Sequence, residues 1–455
     1  MAHPRSIRHT RPWPDLPQVL IITLIILLWI AGGASKADAI GQVVVRAGCW
    51  SILVTAIFTG SSPSLGRTWP PVVILSLAIA LPVIQLIPLP PNLWQSLPGR
   101  QVLLVPGEVP SWRPWTMTPG ATRNALASLV VPAAMLLLLT QASDRAYRSL
   151  PTVLLIMVCL AVVLGLLQFS GVRFDNPLLN DTPGEVSSIF ANRNHFALLV
   201  AVGCVLAPAW AFLDRDALRW RGPLASGLVV LFVLTILATG SRSGMLLGGV
   251  ALALALALVA RRLKNRLRKA PAWLLPVLIF TLVLVIGGFI ALSFAADRAS
   301  GINRLIALES GEDLRSRALP TVLSMIAAYM PFGSGFGSFD PIFRIHEPLS
   351  LLKFTYFNQA HNDYLGIALD GGVAGLALLT GGVLWWLVAT VGVWRMPVND
   401  SVFLGRLGSA VILLILVASF TDYPARTPTV MALLIIAATW LARARHGAPE
   451  VALPA

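Results

Sequence analysis

Charge is scarce in this chain. Asp, Glu, Lys and Arg make up 12% of 455 residues, about half the share of a soluble globular protein. That excludes an ordinary solvated surface. Cysteine is scarcer still. Cys49, Cys159 and Cys204 are the only three, and all lie in apolar runs, so they form no loop disulfide framework and show no metal-ligand spacing. Core packing is their expected role. Acidic residues are few beside basic ones, giving a formal net charge of +14. The basic residues sit in short loops between apolar runs, which points to membrane orientation and away from nucleic acid. A P-loop, a nucleophile elbow and a metal-ligand cluster are likewise missing.

Long apolar runs are present from end to end. Hydrophobic residues reach 56% and the mean hydropathy is +0.78. Reading for runs of about 20 apolar residues, the sequence predicts twelve spans: 17–34, 39–59, 69–90, 124–142, 149–170, 195–213, 223–240, 243–260, 271–293, 362–390, 404–421 and 427–442. The fold class is therefore all-α, a polytopic integral membrane helix bundle of about 12 transmembrane helices within the lipid bilayer, with one long outer loop carrying short helices. The bundle occupies 17–442, including the loop 294–361, between tails 1–16 and 443–455. Leu16 to Ala34 lacks a clear small-residue cleavage site and reads as a first span. Arg46 interrupts the second run, and the tenth is long enough to tilt or kink near its glycines. With the N-terminus inside, 19 of the 34 Lys and Arg fall on inner loops, against eight on the outer side once the long loop is set aside. Both termini are predicted cytoplasmic. Segments 91–123, 171–194 and 294–361 then lie outside, and the tryptophans of "PSWRPWTMTPG" suit an interfacial belt.

Several polar stretches stand out. Arg242, in "TGSRSGML", joins two spans tightly; it reads either as a snorkelling loop arginine or as an anion-binding guanidinium facing a cavity. Arg315 to Tyr329 has helix-compatible apolar spacing broken by Pro320. "GSGFGSF" resembles a phosphate loop in outline, but the flanking strand and helix are missing, so a turn or flexible loop is expected. In "FNQAHNDYLGIALDGGVAGLALL", Gly371 and Gly375 suit close helix packing. His361, Asn362, Asp363 and Tyr364 stand at the outer end of that span. For His361, a solvated helix cap and a catalytic or binding role stand side by side. Asp214 to Asp216, "DRD", matches a metal-holding pattern of nucleotide-sugar transferases, but a solvated loop explains it better.

Taken in order, "GSRSG" between two spans, a long outer loop with an arginine followed by "MPFGSGFGSF", and then "HNDYL" resemble the O-antigen ligase and polymerase family of bacterial membrane glycosyltransferases. "FANRNHFALL", Phe190 to Leu199, is similar to a segment the family carries before a span. The resemblance covers roughly 90–425. Gln359 stands where related loops carry a second histidine, and Asp370 where they carry an acidic residue. The resemblance implies a fold similar to the membrane-embedded GT-C class, in the bacterial inner membrane. It implies transfer, with inversion and with neither metal nor nucleotide cofactor, from an undecaprenyl-diphosphate-linked glycan on the periplasmic face to a glycan or lipid A-core acceptor. Other polysaccharide-assembly proteins are candidate partners. Arg242 and Arg315 align with family arginines that would grip the diphosphate, with Arg317 as an alternative to Arg315 and Arg193 as a further phosphate ligand. His361 would be the general base, with Asn362 or Asp363 orienting it and Tyr364 beside the substrate. A transporter or flippase of lipid-linked saccharides is the competing expectation, weakened by the lack of a repeat and of midplane polar residues; a scaffold is a third.

Overall fold

The computed structural model describes residues 14–267 apart from 35, 37, 108, 173–175, 181–183 and 215–216, then 280, 284, 287, 288 and 291, and 311–446 apart from 353–356. Its helices are α1 (Leu16–Ala31), α2 (Ile40–Thr59), α3 (Trp69–Gln85), α4 (Pro91–Ser96), α5 (Pro119–Ser128), α6 (Val130–Gln141), α7 (Asp144–Phe169), α8 (Arg193–Leu213), α9 (Leu218–Ala238), α10 (Arg242–Leu267), α11 (Gly311–Tyr329), α12 (Phe339–His346), α13 (Asp363–Arg395), α14 (Asp400–Ala418) and α15 (Pro428–His446). Taking α5 and α6 as one, eight of the described helices are long and apolar enough to cross a membrane, and α1, α3 and α15 are shorter apolar helices among them. The chain is a multi-pass, all-α membrane protein. The predicted span 271–293 lies almost wholly outside the described residues, as do Asp216 and the last two residues of the basic run 261–269.

Polar side chains start several helices by taking up otherwise unpaired backbone N–H groups. Asp15 caps α1, Ser143 caps α7, Asn192 caps α8, Asn362 caps α13 and Asn399 caps α14. α8 is the centre of the bundle. Nearly every residue from His195 to Ala211 is buried, against α7, α9, α10 and α14. Cys49 and Cys204 are buried and Cys159 is half-buried, all as free thiols.

Contacts sort the loops onto two faces. On one, Ala191 N–H donates to Gly33 O, Gly41 N–H to Leu178 O and Thr429 N–H to Gly32 O, while Arg315 reaches Thr421. On the other lie Arg148 and Arg262 with Asp400, Arg221 with Asp214, and Arg443 with Asp144. Loops predicted to be outer thus share one face, and the basic loops predicted to be inner share the other.

The first face carries its own small core. Ala318, Val322, Met325 and Tyr329 form the buried stripe of α11, and they pack with Phe339, Ile342 and Phe343 of α12, and with Phe357 and Leu369. α11 continues through Pro320. Pro88–Leu89 pairs antiparallel with Arg113–Pro114. Trp94 is buried and donates to Pro114 O, and Trp115 donates to Phe332 O, so these two rings tie loops together; Trp112 stays exposed. Buried Arg100 donates to the carbonyls of Pro98, Trp115 and Gly333. Burial lowers its pKa to about 10, partly offset by Tyr329.

α13 breaks where the sequence predicts a kink. Gly372 has φ +57° inside the helix; a Cβ there would lie 2.2 Å from Pro331 O. The "GSGFGSF" turn fills the break. Ser334 N–H donates to Leu369 O, Gly335 N–H to Asp370 O, and Val373 N–H to Pro331 O. The glycine-rich segment is a tight turn that satisfies carbonyls freed by the kink. Gly371 meets the Phe336 ring of that turn and Gly375 faces Ile367 of its own helix, so these glycines serve the kink and not a helix-to-helix seam.

Candidate active site

Buried Asp422, in the turn between α14 and α15, gathers the start of α8 and the turn that holds His361. Its Oδ2 accepts from Asn192 Nδ2 at 2.8 Å and from Asn194 Nδ2 at 2.7 Å. Its Oδ1 accepts from the Tyr423 N–H at 3.0 Å. The same Oδ1 lies 3.4 Å from His361 Nδ1 and 3.9 Å from His195 Nε2. Burial alone would raise the pKa of Asp422; the His361 hydrogen bond and the nearby His195, His361 and Arg315 outweigh it and hold the carboxyl well below the usual carboxylate range. An ionised carboxylate only accepts. His361 therefore donates through Nδ1, which leaves Nε2 as the basic nitrogen.

His361 is strained into place. Its φ is +47°, a region that costs a non-glycine residue of order 1–3 kcal/mol. The next residues lock it. Asn362 Oδ1 accepts from Leu365 N–H at 3.0 Å while its Nδ2 donates to Phe420 O at 3.0 Å. Asp363 N–H donates to Ser419 O. The imidazole lies between Phe357 and Tyr423, at ring-centre distances of 5.2 and 5.1 Å. Burial lowers its pKa first, and Arg315 adds to that, while Asp422 pulls it upward; the net shift is down. It is neutral near pH 7 and able to accept a proton.

The arginines separate. Arg315 Nη1 donates to Thr421 O at 3.1 Å, one residue from Asp422. Arg317 Nη2 donates to Ser350 O at 2.9 Å. Two positions on a helix differ by about 200° around its axis, so the pair diverges and Arg315 is the one at the hub. Arg242 opens α10. Ser241 Oγ accepts from Gly244 N–H at 2.9 Å and donates to Asn194 Oδ1 at 2.7 Å, which anchors the Arg242 backbone one residue from the chain that holds Asp422. Arg193 lies between the two asparagines but pairs with Glu185 at 3.7 Å, half-exposed.

Asn362 and Asp363 direct their side chains away from the imidazole. Asp363 Oδ2 accepts from Ser419 Oγ at 2.9 Å and from Ala425 N–H at 3.2 Å, and its Oδ1 lies 3.7 Å from Arg426 Nε. Asp370 accepts from Gly337 N–H, Ser338 Oγ and Arg426. Tyr364 donates to Leu416 O at 2.7 Å. The group beside His361 is Asp422, which sequence reasoning missed, together with Asn192, Asn194, His195 and Arg426. The signal was there in outline: "NRNH" opens the most buried helix, and "TDYPAR" places an acid in an outer turn. Among the described residues no three His, Cys, Asp or Glu side chains are grouped to hold a metal.

Beside this hub lies a cavity of about 760 Å³ between α2, α3, α5, α6, α12, α13, α14 and α15. Gln359, Asp363, Tyr364 and Arg426 line it; His361, Asp422, Arg242 and Arg315 do not.

Residues 227–380 match the O-antigen ligase family. The match runs from α9 into α13. It takes in Arg242, Arg315, Arg317 and the 361–364 stretch, and leaves Arg193 and Asp422 outside. A comparison with curated proteins returned no match.

Proposed function

We propose, from the O-antigen ligase domain at 227–380 and the hub built around it, that this membrane protein is a metal-independent inverting glycosyltransferase. It moves a glycan from an undecaprenyl-diphosphate carrier to an acceptor hydroxyl on the periplasmic face of the inner membrane, as a ligase or a polymerase, with both termini cytoplasmic. The observation that carries this reading is the His361–Asp422 pair, held by two asparagines at the start of the central helix.

The chemistry follows from the atoms. The acceptor hydroxyl gives its proton to His361 Nε2 as its oxygen attacks the sugar C1. The new C1–O bond forms as the bond to the diphosphate breaks, and the diphosphate leaves with the electron pair. One displacement inverts the anomeric centre. Asp422 keeps Nδ1 protonated and steadies the imidazolium that forms, the part an orienting carboxylate plays beside any histidine base. The 3.4 Å separation is long for a hydrogen bond, as catalytic contacts are before substrate arrives. Arg315 and Arg242 take the charge developing on the diphosphate. The starts of α8, α10 and α13 lie at the same hub, and helix N-termini favour anions.

The test is to delete the gene in its host and size the glycans left on the carrier, with His361→Ala as complementing allele. Full-length polymer on the carrier means a ligase and single repeat units mean a polymerase. An unchanged carrier pool overturns the reading and restores transport or scaffolding.

A further inference from the structure

α2 carries an arginine that the reaction leaves unused. Arg46 is the seventh residue of a helix otherwise apolar enough to cross a membrane. An ionisable side chain at such a place faces protein or a polar cavity and marks a functional site by default. Arg46 faces the 760 Å³ cavity. Its Nη1 donates to Asn124 Oδ1 on α5 at 2.6 Å and its Nη2 to Gln42 Oε1 at 3.5 Å. Both acceptors are neutral amides. Its Nε is buried with no hydrogen-bond partner, and among the described residues no carboxylate pairs with it.

Three of the four acids on the cavity wall are answered elsewhere. Asp363 and Asp370 face Arg426 at 3.7 and 3.4 Å. Asp340 takes both Nε and Nη2 of Arg344, at 2.9 and 3.1 Å. The fourth acid, Asp38, and Lys36 are exposed on the same wall, which leaves the Arg46 guanidinium as the part-buried cation there that no described carboxylate pairs with. Much of the remaining wall is apolar, with Leu75, Leu378, Trp386 and Leu434 on it. A part-buried cation flanked by amides, with Lys36 on the same wall of a largely apolar chamber, suits an amphiphile with an anionic head. The volume falls within the ~300–1,000 Å³ of ordinary ligand pockets, which suffices for a headgroup and the first part of its chains.

A transfer between two membrane-borne molecules needs two seats. The hub at Asp422 takes the donor diphosphate, and its arginines do not line this cavity. We propose that Arg46, supported by Asn124 and Gln42, is an anion site for the phosphate-bearing headgroup of a lipid acceptor. The acceptor's apolar chains fill the chamber, and its sugar hydroxyls approach the 359–363 stretch that carries His361. The assignment of the occupant as acceptor rests on the transferase reading above; the anion site rests on the cavity alone.

Two measurements on the purified full chain test it. The first is native mass spectrometry with dioctanoyl phosphatidic acid as probe and dioctanoylglycerol as its uncharged counterpart. Arg46→Gln should weaken the phosphatidic acid about tenfold, Arg46→Lys should keep it within about threefold, and dioctanoylglycerol should bind all three alike. A merely structural Arg46 would not separate the two probes. Equal phosphatidic acid binding by wild type and Arg46→Gln overturns the site. The second is transfer in proteoliposomes, with carrier-linked glycan and acceptor lipid extracted from the deletion strain. Arg46→Gln should raise the acceptor KM about tenfold and leave the donor KM and kcat unmoved. A raised donor KM instead overturns the acceptor assignment. Wild-type protein that shows the charge-selective binding but no transfer sinks the transferase reading and leaves the anion site standing.

Discussion

Two clusters of buried carboxylate meet at the turn between α14 and α15, and they are neutralised differently. Asp363 and Asp370 are answered by Arg426, a permanent cation, and by backbone and hydroxyl donors. Asp422 is answered by two asparagines and two imidazoles, with Arg315 one residue away. The first cluster ties α13 to the turn. The second contains groups that can exchange a proton near neutrality. Similar acids packed around one turn thus serve architecture in one case and, on the proposed reading, chemistry in the other.

The sharpest break of this comparison is His361→Ala. Transfer should fall about 100- to 10,000-fold, the usual contribution of a positioned base, with the protein still present in the membrane and unfolding at its wild-type temperature. Arg426→Met probes the architectural cluster. It leaves two buried carboxylates without their cation, which costs about 3 kcal/mol, at the low end because the arginine is a quarter exposed. Thermal unfolding in detergent should drop sharply, and the shape of the pH–rate profile of whatever folds should stay put. A wild-type melting temperature would erase the distinction between the clusters.

Asp422→Asn should lower the rate about 10- to 100-fold, as loss of an outer-sphere partner does, and move the acid limb of the profile. The sign is fixed. His361 sits below its ordinary value of about 6.5 and Asp422 pulls it upward; without that pull the pKa falls further and the limb moves to lower pH. Arg315→Gln removes an influence that lowers the pKa, so its limb moves to higher pH. Limbs moving together would contradict the geometry. The smallest effect belongs to Arg317→Gln. That side chain turns to Ser350, and its rate should stay within about twofold to threefold of wild type while Arg315→Gln loses several times more. Steady-state transfer by the two single variants decides it.

The membrane bundle was legible because span length and hydropathy are local properties. Eleven of the twelve predicted runs coincide with described helices, and the kink near the tenth run's glycines falls at Gly372. His361 and Arg315 stood out by residue type and neighbourhood. What was not legible depends on long-range contact. Asp422 is 61 positions from His361 and about 230 from Asn192, and nothing in "TDYPAR" says which span ends it meets. The choice between Arg315 and Arg317 turns on helix phase against a partner turn. The role of "GSGFGSF" needed the broken helix it caps, and that of Arg46 needed the wall of a cavity built from several helices.

The central claim is that His361, oriented by Asp422, deprotonates an acceptor as a glycan leaves its lipid diphosphate. The most direct measurement places purified wild-type and His361→Ala protein in proteoliposomes with carrier-linked glycan and acceptor lipid, and follows glycan on the acceptor together with released carrier diphosphate. The account predicts matched appearance of both with wild type and a loss of at least about 100-fold with His361→Ala. Equal turnover by the two proteins would contradict it.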